Sequence, residues 1–141
     1  MKGMLKISAI SLVAVLVATS VVSCTAKNSN ACDGGKPVAT KEEAVSTILR
    51  AAYAGDADEA CSVINSHPST ADIADGLKQL KSKLQESGIT ADNAVVEDTF
   101  QGGSLVQVRV SSGSKMGQNL SMDLFSIRGE GYRFGWPLSF E

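Results

Sequence analysis

The sequence is poor in aromatic residues, histidine and proline. Aromatics make up 5% of its 141 residues, and it has one His and three Pro. A lone imidazole excludes any site that needs two of them. No HExxH pair, CxxC pair or GxxxxGK[ST] loop occurs, so zincin, thioredoxin-type and P-loop chemistry are excluded as well. Neither charge sign dominates, with 13 basic against 15 acidic side chains. That balance excludes nucleic-acid binding through a basic surface. Hydrophobic residues at 43% and charged residues at 20% exclude a wholly disordered chain. The length fits one domain with one modest core.

A targeting segment comes first. Lys2 and Lys6 form a positive start, and residues 7–22 follow without a charge, interrupted by Ser8, Ser11, Thr19 and Ser20. A membrane-crossing helix needs about 20 apolar residues. This shorter, polar-spotted run is expected to be a signal peptide over residues 1–23, with an uncleaved anchor as the alternative. Val21-Val22-Ser23-Cys24 resembles the lipobox of bacterial lipoproteins. The resemblance implies a diacylglyceryl group on the Cys24 sulfur, cleavage before Cys24, and a lipid-anchored place on the extracytoplasmic side of a cell membrane. Two or three acyl chains would hold it there stably. The alternative is ordinary secretory cleavage near Ser20 or Ser23, leaving a free thiol.

Cysteine arithmetic points the same way. Lipidation of Cys24 removes the odd cysteine and leaves Cys32 and Cys61, outside the cytoplasm, where disulfides persist. A Cys32–Cys61 bridge is expected, closing a loop worth about 3–4 kcal/mol by chain entropy. The competing reading makes Cys61 a small buried apolar residue and Cys32 a free thiol. Cleavage leaves 118 residues with 11 basic and 15 acidic side chains. Such a surface is not drawn to anionic headgroups, so attachment would come from the lipid alone.

Residues 24–39 are expected to be the lipidated Cys and a flexible tether, rich in small polar residues around Gly34-Gly35. A Cys32–Cys61 bridge would pin its middle. Residues 40–141 form the domain. Thr40-Lys41-Glu42-Glu43 fits a capping box. Ala44, Val45, Ile48, Leu49, Ala52 and Tyr53 then recur at helical spacing until Gly55. Asp56 is expected to cap a short helix over 57–65 that ends at His67-Pro68. Ser69 or Thr70 would cap a third helix over 71–86, with Ile73, Leu77, Leu80 and Leu84 on one face and Gly76 weakening it. From Ala91 the period becomes two. Strands are expected over 94–100, 105–111, 119–128 and 132–140, with Pro137 marking an edge or a bulge. Helices first and an antiparallel meander after them predict an α+β fold, N-terminal helices on one face of a curved, cone-like sheet of about four strands.

The run EEAVSTILRAAYAGDADEACSVIN and the closing GEGYRFGWPL resemble the nuclear transport factor 2-like superfamily, with a cone-shaped α+β domain, over roughly residues 40–138. Small exported bacterial lipoproteins of unknown function share this look. Pro137 departs from the pattern, and no known active-site residue carries over.

Candidate chemistry is sparse. His67 sits in the turn Asn65-Ser66-His67-Pro68-Ser69 and reads as an exposed loop residue without a partner to orient it. Asp56/Asp58/Glu59 and Asp72/Asp75 lie at helix starts, where capping and the helix dipole account for them. Glu97-Asp98 on a strand places one carboxylate inward, as isomerases of the cone fold place a general base. Tyr53, Met122, Tyr132, Phe134 and Trp136 are expected either to line an apolar pocket between helix and sheet or to be plain core. Leu105, Phe125 and Ile127 lie on the second sheet face among Gln107, Arg109, Ser121 and Asp123, as either a weak homodimer face or scattered surface. Gln107-Val108-Arg109-Val110-Ser111 partly resembles the Gln-x-Val-x-Gly loop of cystatin-type inhibitors, with Ser in fifth place. No cofactor and no metal is expected. The leading expectation is a membrane-anchored lipoprotein acting as a non-catalytic binding or interaction module for a small apolar ligand or an envelope protein. The alternative is a small isomerase- or cyclase-like enzyme using Glu97 or Asp98.

Overall fold

The structure, a computed structural model, describes residues 31–114 and 117–141. The signal segment, Cys24 and the first part of the tether lie outside the described residues. Three helices precede four strands: α1 Lys41–Ala54, α2 Ala57–Cys61, α3 Thr70–Ser87, β1 Val95–Gly102, β2 Leu105–Ser111, β3 Leu120–Ile127 and β4 Gly131–Phe134. The helix starts follow the local capping signals. The Thr40 hydroxyl accepts from the Glu43 N–H, Asp56 from those of Asp58 and Glu59, and Ser69 from that of Asp72. Gly55 and Gly88 close α1 and α3 in the left-handed conformation that glycine adopts without a steric cost. None of the helices among the described residues is long and apolar enough to cross a membrane.

The strands form one antiparallel sheet in the order β1-β2-β3-β4. Period-two alternation decides which side chains meet the helices. Val106, Val108 and Val110 of β2, Leu120, Met122 and Leu124 of β3, and Phe134 of β4 are buried. They pack in one core with Ile48 and Leu49 of α1 and Ile73, Leu77, Leu80 and Leu84 of α3. The protein is therefore α+β, with its helices on one face of the sheet. The other face is left without a covering layer by any described element.

Other boundaries lie within two residues of expectation, and two differ by more, each for a tertiary reason. α2 ends at Cys61 rather than near Asn65. Beyond it the backbone serves β4 instead of a helix: the Phe134 N–H donates to Val63 O (2.7 Å) and the Asn65 N–H to Phe134 O (2.7 Å). The fourth strand stops at Phe134 and does not run on to Phe140. Residues 135–138 leave the ladder, with a cis bond between Trp136 and Pro137. The chain then returns to β3, where Ser121 and Glu141 exchange hydrogen bonds of 2.8 and 3.1 Å and Met122 pairs with Phe140. Pro137 thus marks an interruption in the outermost strand, where a missing N–H does least damage.

The second part of the expected tether belongs to the domain. The Cys32 N–H donates to Pro68 O (2.8 Å) and the Gly35 N–H to Ile64 O (2.8 Å). Val38 and Tyr132 exchange a reciprocal pair at 3.0 and 2.8 Å, which adds a residue of strand to the outside of β4. Gly35 is needed for this approach, since a Cβ there would stand 2.1 Å from Ser62 O.

Candidate functional site

Cys32 and Cys61 are joined in a disulfide, with 5.5 Å between their Cα atoms. Cys61 comes from the end of α2, and Cys32 from the segment that runs along the α2–α3 connection before Val38 meets β4. The bridge therefore ties residues 31–38 to the helical layer. Around it, Arg133 Nη1 donates to Gly35 O (2.8 Å) and a ring nitrogen of His67 lies 2.8 Å from Cys32 O. His67 itself is exposed in the loop between α2 and α3.

The expected pocket residues do not share one site. Met122 and Phe134 are fully buried and present no surface to a ligand. Tyr53 is half-buried, its hydroxyl donating to Ile89 O (2.6 Å), and it lines a surface cleft with Arg50, Glu59 and Ala91. Trp136 lies elsewhere, its ring tip against Gly76 of α3, where an added Cβ would sit 2.7 Å away. That contact gives the otherwise helix-weakening Gly76 a packing role. Tyr132 faces the helices at the opposite end of β4 from Trp136, close to α1.

The paired strand acids separate by face, as alternation requires. Glu97 pairs in register with Arg109 on the uncovered face, their charged atoms 4.0 Å apart. Asp98 pairs in register with Val108 on the helix side, and its carboxylate meets the Lys41 ammonium at the start of α1. Lys41 also stands 5.8 Å from the centre of the Tyr132 ring on β4. One cation at the first turn of α1 therefore reaches both the first and the last strand. The hydrogen bond to Asp98 raises the Lys41 pKa above its ordinary 10.5, aided by attraction to Asp98, Tyr132 and Glu42, against the opposing effect of burial. Asp98 remains about half exposed at the rim of the core.

The uncovered face carries a graded surface. Leu105 and Phe125 pair across β2 and β3. Beside them Gln107 Nε2 donates to Asp123 Oδ1 (3.1 Å) and Ser139 Oγ to Asp123 Oδ2 (2.9 Å). Gln107 to Ser111 lies within β2, paired with β1 and, up to Val110, with β3, and forms no projecting loop. No group of three or more His, Cys, Asp or Glu residues that could hold a metal occurs among the described residues.

The sequence did not reveal how unlike the two sheet edges are. β4 is flanked by residues 38 and 63–65, whereas β1 has no described backbone partner beyond β2. Its residues alternate less clearly than those of β2, and all but Val96 are exposed. The available signal in the sequence was the polar run Glu97-Asp98-Thr99, which breaks the alternation within this strand. Compared with protein-family models, with curated proteins and with solved structures, the chain matches none of them.

Proposed function

We propose that the chain is a lipid-anchored extracytoplasmic lipoprotein whose α+β domain is a non-catalytic interaction module. The observation that carries the anchoring is the cystine. With Cys32 and Cys61 bonded to each other, Cys24 in Val21-Val22-Ser23-Cys24 is the remaining cysteine, placed where a lipobox puts it. The order of three helices and a four-stranded meander supports the further proposal of a nuclear transport factor 2-like domain. Binding is favoured over catalysis because Met122 and Phe134 fill the space between helices and sheet where a chamber would lie. A partner is then met on the surface, by an envelope protein or a small apolar ligand, with a second copy of the chain on the uncovered face as a further candidate.

The test of anchoring is the intact mass of the protein from its native host, together with the membrane partition of a Cys24→Ala variant. Acyl chains on Cys24 and loss of partition are expected; an unmodified Cys24, or a variant that stays with membranes after alkaline washing, defeats the proposal. The interaction reading is tested by crosslinking in intact cells and by native mass spectrometry of the purified protein. A reproducible envelope partner or a retained ligand is expected, and neither being found removes that reading. The enzyme alternative rests on Asp98, whose carboxylate is held by Lys41 at the rim. Asp98→Asn abolishing a turnover measured on the native-host protein would restore it.

A further inference from the structure

β1 stands at the edge of the sheet, and all its described backbone pairing is with β2. Among the described residues, no isolated bridge and no loop hydrogen bond reaches residues 95–102. A strand in that position offers a row of N–H and C=O groups to an incoming extended chain. Val95 and Phe100, 42% and 55% exposed, are its large exposed apolar side chains. Between them lie Glu97 and Asp98, which point to opposite faces.

Of the two carboxylates, Asp98 is held by Lys41, and Glu97 selects the occupant. An antiparallel pairing of β1 with β1 of a second copy, centred on this stretch, brings the two Glu97 carboxylates to the same face, each with Arg109 only at 4.0 Å, and like charges across a ladder are destabilising. A strand carrying Lys or Arg at the same level meets Glu97 on the uncovered face, whereas Asp98 on the helix side is already engaged by Lys41. Glu97 is the more available, at 63% exposure and with Arg109 only at the 4.0 Å limit of contact. The bulge between Asp98 and Phe100 interrupts the edge, so addition is confined to residues 95–98, and Phe100 lies beyond as an apolar shelf.

We infer that β1 accepts, by strand addition, an extended segment of another protein in which a basic residue is flanked by apolar ones. This rests on the interaction-module reading and names the chemistry of its partner. The test is backbone NMR on the full chain, titrated with the capped heptapeptide Val-Lys-Val-Thr-Val-Lys-Val. Two control peptides accompany it, one with Glu for Lys and one N-methylated at alternate residues. Saturable amide shifts centred on residues 95–98 are expected. The Glu peptide should bind about tenfold more weakly or worse, and the N-methylated peptide should not bind. Glu97→Gln should weaken the Lys peptide about three- to fivefold at low salt, an effect that fades as salt is added. Shifts elsewhere or none, equal binding of either control peptide, or dimerisation of the chain through β1 overturns the inference. The interaction-module reading would survive that failure, because it is judged by crosslinking and retained ligand.

Discussion

The two edges of one sheet have opposite fates. At β4, the backbone of Tyr132 is paired with Val38, and that of Phe134 with Val63 and Asn65. At β1 no described backbone pairs with the strand on the side away from β2. The side chains differ accordingly. The covered edge uses glycine where backbones meet: a Cβ on Gly131 would stand 2.0 Å from Val38 O. The open edge carries two adjacent acids and a bulge, both of which discourage indiscriminate strand pairing. Close packing thus protects one edge, and charge with a broken ladder guards the other.

The sharpest way to break this contrast uses the same side chain at both edges. Phe134→Ala is expected to cost about 3–5 kcal/mol in urea unfolding because it empties the core. Phe100→Ala, at an exposed position, should stay within about 0.5 kcal/mol. Equal losses would refute the asymmetry. Next in size, replacing Cys32 and Cys61 together by Ala should cost about 3–4 kcal/mol. Amide exchange should then quicken at Val38 and Tyr132 but not at Val96; uniform quickening would mean that the bridge holds the whole domain rather than one edge. Gly35→Ala drives a Cβ into Ser62 O and should cost about 2 kcal/mol or more. Gly103→Ala, in the turn after β1 with open space around it, should lose only about 1 kcal/mol from its positive φ. Matching thermal shifts for the two variants would contradict the close approach at β4.

The smallest effect concerns the ion pair that links α1 to the open edge. Lys41 has a raised pKa in the folded protein. Its contribution is therefore fully present below the unfolded value near 10.5, and is lost as pH rises through the higher folded value. Asp98→Asn should lower stability by about 0.5 kcal/mol at pH 7, given how exposed the acid is. The gap between variant and parent should close as the pH is taken above 10.5, and a gap that widens there would reverse the assigned sign.

Helix starts were legible because a cap is a contact between residues two or three apart, as at Thr40, Asp56 and Ser69. Strand faces were legible for β2 and β3 because alternation survives where both neighbours are present. The end of α2 was not legible, since Val63 and Asn65 answer to Phe134 about seventy residues later. Whether these side chains line a pocket or fill the core was not legible for a related reason. Aromatic and sulfur side chains report that a surface is to be covered, and they do not say by what. Met122 and Phe134 went to the core, and Tyr53 and Trp136 to separate clefts.

By itself, then, the sequence determined the local matters: an α+β order of elements, their caps, the alternation of the central strands, and a cysteine count that leaves Cys24 over once two others pair. The tertiary structure alone decided that residues 31–35 lie along the α2–α3 connection and Val38 against β4, that Gly35 and Gly76 are contact points, and that β1 has no described backbone partner beyond β2. Each of these depends on backbone or ring atoms meeting across a long stretch of chain. Neither propensity nor periodicity encodes such a meeting, because both describe only how a residue relates to its near neighbours.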